Sequence, residues 1–145
     1  MQSFRFSLER ILSWRRKEFE AEESKLGPLA AEQKRLEEVR REMLAPRDRA
    51  GNQLLAAGPL DGADLAALGG YRARLERDLE ANARRRQEAG ERLAAQQARV
   101  IAAHRRVRLL EKLRQRQLDE WRTGWNRETE NFAGEAFLAR WRARG

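Results

Sequence analysis

Advancing from Leu8 by alternating steps of four and three residues, the chain visits Leu8, Leu12, Arg15, Phe19, Glu22, Leu26, Leu29, Gln33, Leu36, Arg40 and Met43. Seven of these eleven positions are apolar, which makes the series a coiled-coil stripe sustained over five heptads, with polar interruptions. Ile11, Val39 and Leu44 broaden the same face. A stripe of this width needs a second helix to cover it, and the chain supplies one. From Leu65 the spacing resumes through Leu68, Leu75, Leu79, Ala89, Leu93, Val100, Ala103, Val107 and Leu110, with Arg72, Asn82, Arg86 and Gln96 as interruptions.

Between the two runs lies Gly58-Pro59-Leu60-Asp61-Gly62-Ala63-Asp64, where Gly, Pro and Asp concentrate and the periodicity lapses. The expected fold is therefore all-α: one long antiparallel two-helix coiled-coil hairpin over residues 1–145, with helix 4–55, turn 58–64 and a longer helix 64–142. Asp61 is placed to cap the second helix, and Asp64 puts another carboxylate at its positive dipole end. Pro28, preceded by Gly27, predicts a kink near residues 24–28, because proline removes a backbone donor and clashes with the preceding turn. Pro46 predicts either a second bend or an early end to the first helix. With the turn centred near residue 60, residue i faces roughly residue 119 minus i, so Phe4 faces the neighbourhood of Gln115 and everything after about residue 117 overhangs. Past Leu110 the stripe shifts phase to Leu113 or Leu118, Trp121, Trp125 and Phe132, as at a stutter or a change of packing partner.

Composition agrees with this architecture. Alanine (23) and leucine (19) dominate the apolar residues, whereas Val, Ile and Thr together number seven, too few to build a sheet. Mean hydropathy is -0.88 and 37% of residues are charged, which suits a narrow helical seam and not a thick globular core. Cysteine is absent, which excludes disulfides, thiolate metal sites and thiol nucleophiles and is consistent with the cytoplasm. No apolar run reaches the roughly 18 residues of a membrane span. Neither a phosphate-loop pattern nor a second histidine beside His104 is present, and the glutamates stand at helical spacing from arginines, as in surface ion pairs. No active site, cofactor or metal is expected.

Charge and aromatic residues concentrate near the two ends of the chain. Residues 1–17 hold five basic residues and one acidic residue and residues 99–145 hold twelve and six, while residues 18–98 sum to a net -2. Nine of ten aromatics fall near these ends, and Tyr71 is the exception. Phe4, Phe19 and Trp121 read as thickening a small core. Trp125, Phe137 and Trp141 read as exposed partner-binding groups, because five aromatics in a 25-residue overhang exceed what one facing helix covers. The basic balance, with a pI near 11.0, also fits a nucleic-acid binder or a scaffold that dimerises through exposed aromatics. Interleaved glutamates and the lack of a groove-reading basic helix argue against nucleic acid as a partner. A membrane contact by Phe4–Trp14 ranks equally low.

The opening Phe4-Arg5-Phe6-Ser7-Leu8-Glu9-Arg10-Ile11-Leu12, followed by Arg15-Arg16 and a Glu-rich stretch, resembles the FliJ family of the flagellar export apparatus. Leu110-Glu111-Lys112-Leu113-Arg114 with Arg116, Glu120 and Glu128 resembles that family's C-terminal helix. The resemblance implies a non-catalytic central stalk of flagellar type III protein export. It would be cytoplasmic and held peripherally at the inner-membrane export apparatus, binding a FliI-type hexameric export ATPase, an FlhA-type export gate protein and export chaperones. The ring contact so implied falls on Phe4, Phe6, Leu8, Arg10, Arg15, Arg16, Arg114 and Arg116. The gate contact falls on Tyr71 and Leu75, although Tyr71 equally fits packing across Gly69-Gly70 onto the first helix. The stalk of a virulence secretion system is the nearest alternative.

Overall fold

The computed structural model describes residues 2–56, 58 and 61–145, with side chains described at all of these except 47, 48, 50–52 and 54–56. Three helices follow one another: α1 (Glu9–Ser24), α2 (Leu26–Ala56) and α3 (Gly62–Arg144). Among the described residues there is no strand, and α3, at 83 residues, is the longest element. No described helix is long and apolar enough to cross a membrane.

The expected break near Pro28 occurs at Lys25. Its amide donates to the Glu22 carbonyl at 3.2 Å, a three-residue turn separating α1 from α2. Pro28 is then the third residue of α2, inside the first turn, where the missing N–H costs no intrahelical bond. Pro46 neither ends nor shortens the first arm, since α2 continues through it to Ala56. Pro59 and Leu60 of the expected turn lie outside the described residues. Gly58 has φ +77°, a conformation suited to glycine, and α3 starts two residues earlier than expected, at Gly62. Asp61 caps it as foreseen, its Oδ1 accepting the Asp64 amide at 2.8 Å.

The first helix does not begin at Phe4. Residues 2–6 are non-helical, Ser7 and Leu8 form a turn, and the helix starts at Glu9, whose amide donates to the Phe6 carbonyl at 3.1 Å. The F-x-F-x-L run explains why. Phe4 and Leu8 are half-buried and Phe6 is buried, whereas Arg5 and Ser7 are exposed, a period of two that a helix does not produce.

Contacts divide the chain into two compact units, one of Met1–Glu20 with Ile101–Gly145 and the other of Ala21–Val100. In the second unit the Gln96 amide donates 2.9 Å to the Glu22 carbonyl, the Asn82 amide 3.2 Å to the Leu36 carbonyl, and Arg86 pairs with Glu37 at 3.1 Å. From Glu22 to Leu36 on the first arm, the α3 partner falls from Gln96 to Asn82. In the first unit Phe4 meets Trp121 with ring centroids 6.2 Å apart, Glu9 pairs with Arg114 at 3.0 Å, and Phe19 meets His104 at 5.1 Å. The order is again opposed.

Phe4 thus stands against Trp121 and not near Gln115. Between the Glu9–Arg114 and Phe4–Trp121 contacts, five residues match seven on α3, or about 2.1 Å per residue where a helix rises 1.5 Å. Leaving the helix lets the N-terminal segment reach further along its partner, which moves the start of the uncovered part of α3 from about residue 117 to beyond Trp121.

Burial follows the 4-3 series closely. Ten of its eleven first-arm positions are buried or half-buried and only Gln33 is exposed. Leu12, at 0% exposure, joins Phe6 and Val107 in the core of the first unit, with Phe4, Leu8, Phe19, Leu110 and Leu113 packed against them. Ile11 is a correction: it stands 47% exposed, outside the stripe it was expected to broaden, because the stripe is narrow.

Candidate functional site

The first unit carries sixteen Lys+Arg and nine Asp+Glu, against fifteen and fourteen in the second, so nearly all of the excess positive charge resides in it. How much of that charge is free to meet a partner depends on its neighbours. Arg15 donates to Glu18 at 2.9 Å, and its guanidinium lies 5.3 Å from the Trp14 ring centre. Arg16 reaches Glu111 at 3.4 Å. Arg114 pairs with Glu9 and covers the Phe4 ring at 5.6 Å, while Arg10 and Arg116 are exposed. Arg15–Glu18 is half-buried, whereas the more exposed pairs of Arg16 and Arg114 contribute a few tenths of a kcal/mol each, so a partner carboxylate can take over those arginines at little cost.

Of the apolar residues assigned to the ring contact, Phe6 is buried, and Phe4 and Leu8 are half-buried against the core. They shape the N-terminal segment. The Trp121 indole N–H donates to the Gln2 carbonyl at 3.2 Å, and Trp125 stacks on Trp121 with centroids 5.7 Å apart. Trp125 nonetheless stays 41% exposed, and Phe137 and Trp141 are exposed. Sequence reasoning singled out these three and passed over Phe132, which at 74% is more exposed than any of them. The signal was available in the continued 4-3 spacing from Trp125 to Phe132. Trp14 and Leu109 are two further exposed apolar groups in the same unit.

In the second unit Tyr71 is exposed beside Leu68, Ala67, Asp64 and Pro46, whereas Leu75 is buried. Leu75 therefore belongs to the seam, and Tyr71 alone of the pair is presented at the surface.

The buried polar positions of α3 are also informative. Asn82 and Gln96 are each nearly fully buried, and their amides donate to carbonyls of the opposing arm. Gln96 also donates to the Glu22 carboxylate, and this bond holds the Glu22 carboxyl below its ordinary value of 4.5, with Lys25 and Arg99 adding to the effect and desolvation opposing it. A depressed carboxyl stabilises the fold above its unfolded value and loses that contribution as pH falls through the folded value. Thermal stability is accordingly expected to fall as pH drops below about 4.5, and Glu22→Gln to flatten that slope; an equally steep loss in the variant would remove Glu22 as its source. Among the described residues no group of His, Asp and Glu could hold a metal ion.

A sequence profile of the family described as flagellar FliJ protein matches residues 4–144. The chain belongs to the FliJ family. That family is a non-catalytic component of flagellar protein export, and the match runs through both units and the exposed aromatic part of α3. No curated protein and no solved structure matches the chain.

Proposed function

We propose that this protein is an antiparallel coiled-coil hairpin that serves as the central stalk of flagellar type III export, binding a FliI-type hexameric ATPase and linking it to an FlhA-type gate. The family match over residues 4–144 carries the reading. The concentration of positive charge and exposed aromatics in the first unit supports placing the ATPase contact there. Arg10, Arg15, Arg16, Arg114 and Arg116 supply the charge, with Phe4, Phe6 and Leu8 holding the segment that presents them. Binding some ring states better than others is how a stalk without catalysis shifts assembly or turnover. Tyr71, exposed in the second unit with Leu75 behind it, is the gate contact, and export chaperones are further partners.

Addition of the protein to the purified cognate ATPase is expected to raise ATP turnover several-fold, and an Arg15→Glu/Arg16→Glu variant to lose most of that effect while keeping its helical circular dichroism. Unchanged turnover with wild-type protein would sink the reading. Tyr71→Ala is expected to weaken binding to the gate domain while leaving the stimulation intact, since it touches neither the core nor the basic unit.

A further inference from the structure

Beyond Trp121 the 4-3 spacing continues through Trp125, Thr129, Phe132, Ala136, Ala139 and Ala143, a single face of α3 on which Trp125 is 41% and Phe132 74% exposed. The Thr129 hydroxyl donates 2.9 Å to the Trp125 carbonyl, which satisfies its polar atom on its own helix and leaves its methyl group on the stripe. This face is large at one end and small at the other.

We infer that the stripe from Trp125 to Ala143 pairs with the same stripe of a second copy, antiparallel, forming a weak symmetric dimer; this does not depend on the export reading. Set against itself in reverse, the stripe places Trp125 opposite Ala143, Thr129 opposite Ala139 and Phe132 opposite Ala136, and each contact occurs twice about the two-fold axis. Each large side chain, Trp125 or Phe132, meets an alanine, and the layer between them pairs Thr129 with Ala139, which lets the two helices approach closely and interdigitate.

The flanking charges agree with this register. Glu128 comes opposite Arg142 of the second copy, twice per dimer, and among the described residues neither forms an ion pair within its own chain. Arg140 comes opposite the uncharged Asn126. Glu135 meets its own copy at the axis, the one repulsive contact. The pairing also fits the space left free. Ala143 of the second copy reaches Trp125, four residues past Trp121, so the part of α3 engaged by Gln2 and Phe4 stays clear.

Light scattering of the full chain across increasing concentration tests the inference. The mass is expected to rise from 16.9 kDa toward twice that value. Phe132→Glu and Ala136→Glu should each hold it at one chain, and Glu135→Gln should shift the rise to lower concentration. Glu128→Arg and Arg142→Glu should each weaken the dimer, and the two changes together should restore it. Because the chain lacks cysteine, single introduced thiols report the register. A mixture of Thr129→Cys and Ala139→Cys proteins should crosslink between the two, and Thr129→Cys alone should not. A mass that stays at one chain throughout, a charge swap that fails to restore the dimer, or efficient crosslinking by Thr129→Cys alone would each overturn it.

Discussion

Leu12→Ala is expected to destabilise the first unit by about 3 kcal/mol and to lower its melting temperature by roughly 10 °C. Among the described residues Leu12 is the largest fully buried side chain, and its neighbours Phe6 and Val107 are themselves buried. Removing three carbons there loses their transfer free energy and opens a space that Phe4, Leu8 and Phe19 only partly refill. The loss should extend past the seam, because Phe6 docks on the same cluster and holds the non-helical N-terminal segment against α3. Urea titration of the variant should therefore show a lower midpoint together with a red shift in tryptophan emission, as Trp121 loses its bond to the Gln2 carbonyl. Leu12→Met, which keeps the volume, should cost less than about 1.5 kcal/mol. A Leu12→Ala protein as stable as wild type would show that the cluster does not carry this unit.

Asn82→Leu should act in the opposite direction, raising stability by an amount on the order of 1–3 kcal/mol. The Asn82 side chain is 3% exposed, its amide bonds the Leu36 carbonyl, and its own Oδ1 is buried without a partner. The Leu36 carbonyl sits within α2 and is served by the helix ladder, so replacing the amide removes an unsatisfied oxygen and orphans nothing in exchange. What is lost is specification. Asn82 and Gln96 stand fourteen residues apart, as do Leu36 and Glu22, so the two amides fix the pairing of the arms at two points separated by two heptads. With Gln96 in place, Asn82→Leu should keep a single register; Asn82→Leu/Gln96→Leu should be more stable still but populate shifted pairings, seen as doubled amide resonances. A drop in stability for the single variant would show that the Asn82 bond outweighs the buried oxygen.

The helical architecture was legible in the sequence because a coiled-coil stripe is a local property. Each apolar residue needs only its neighbours three and four positions away to define the face, and ten of eleven first-arm positions are accordingly covered. The cap at Asp61 and the interruption near Pro28 were readable from the chemistry of a few adjacent residues, and the exposed Trp125, Phe137 and Trp141 from the number of aromatics in a segment that one facing helix cannot cover. The F-x-F-x-L run was misread as helix because its period of two covers only five residues, too few to stand out beside a 4-3 series. Among the proposed contacts, Arg10 and Tyr71 are exposed, whereas Phe6 and Leu75 are buried.

Taken alone, the sequence determined that the chain is helical, roughly where its helices are interrupted and which 4-3 series of the first arm faces inward, since propensity and periodicity act within single helices. Tertiary structure decided the rest: that Phe4 meets Trp121, that Arg114 answers Glu9, and that Ile11 faces outward. These outcomes depend on which residue stands across the seam. That choice is made by shape and by buried amides on the opposing helix, at positions tens of residues away along the chain.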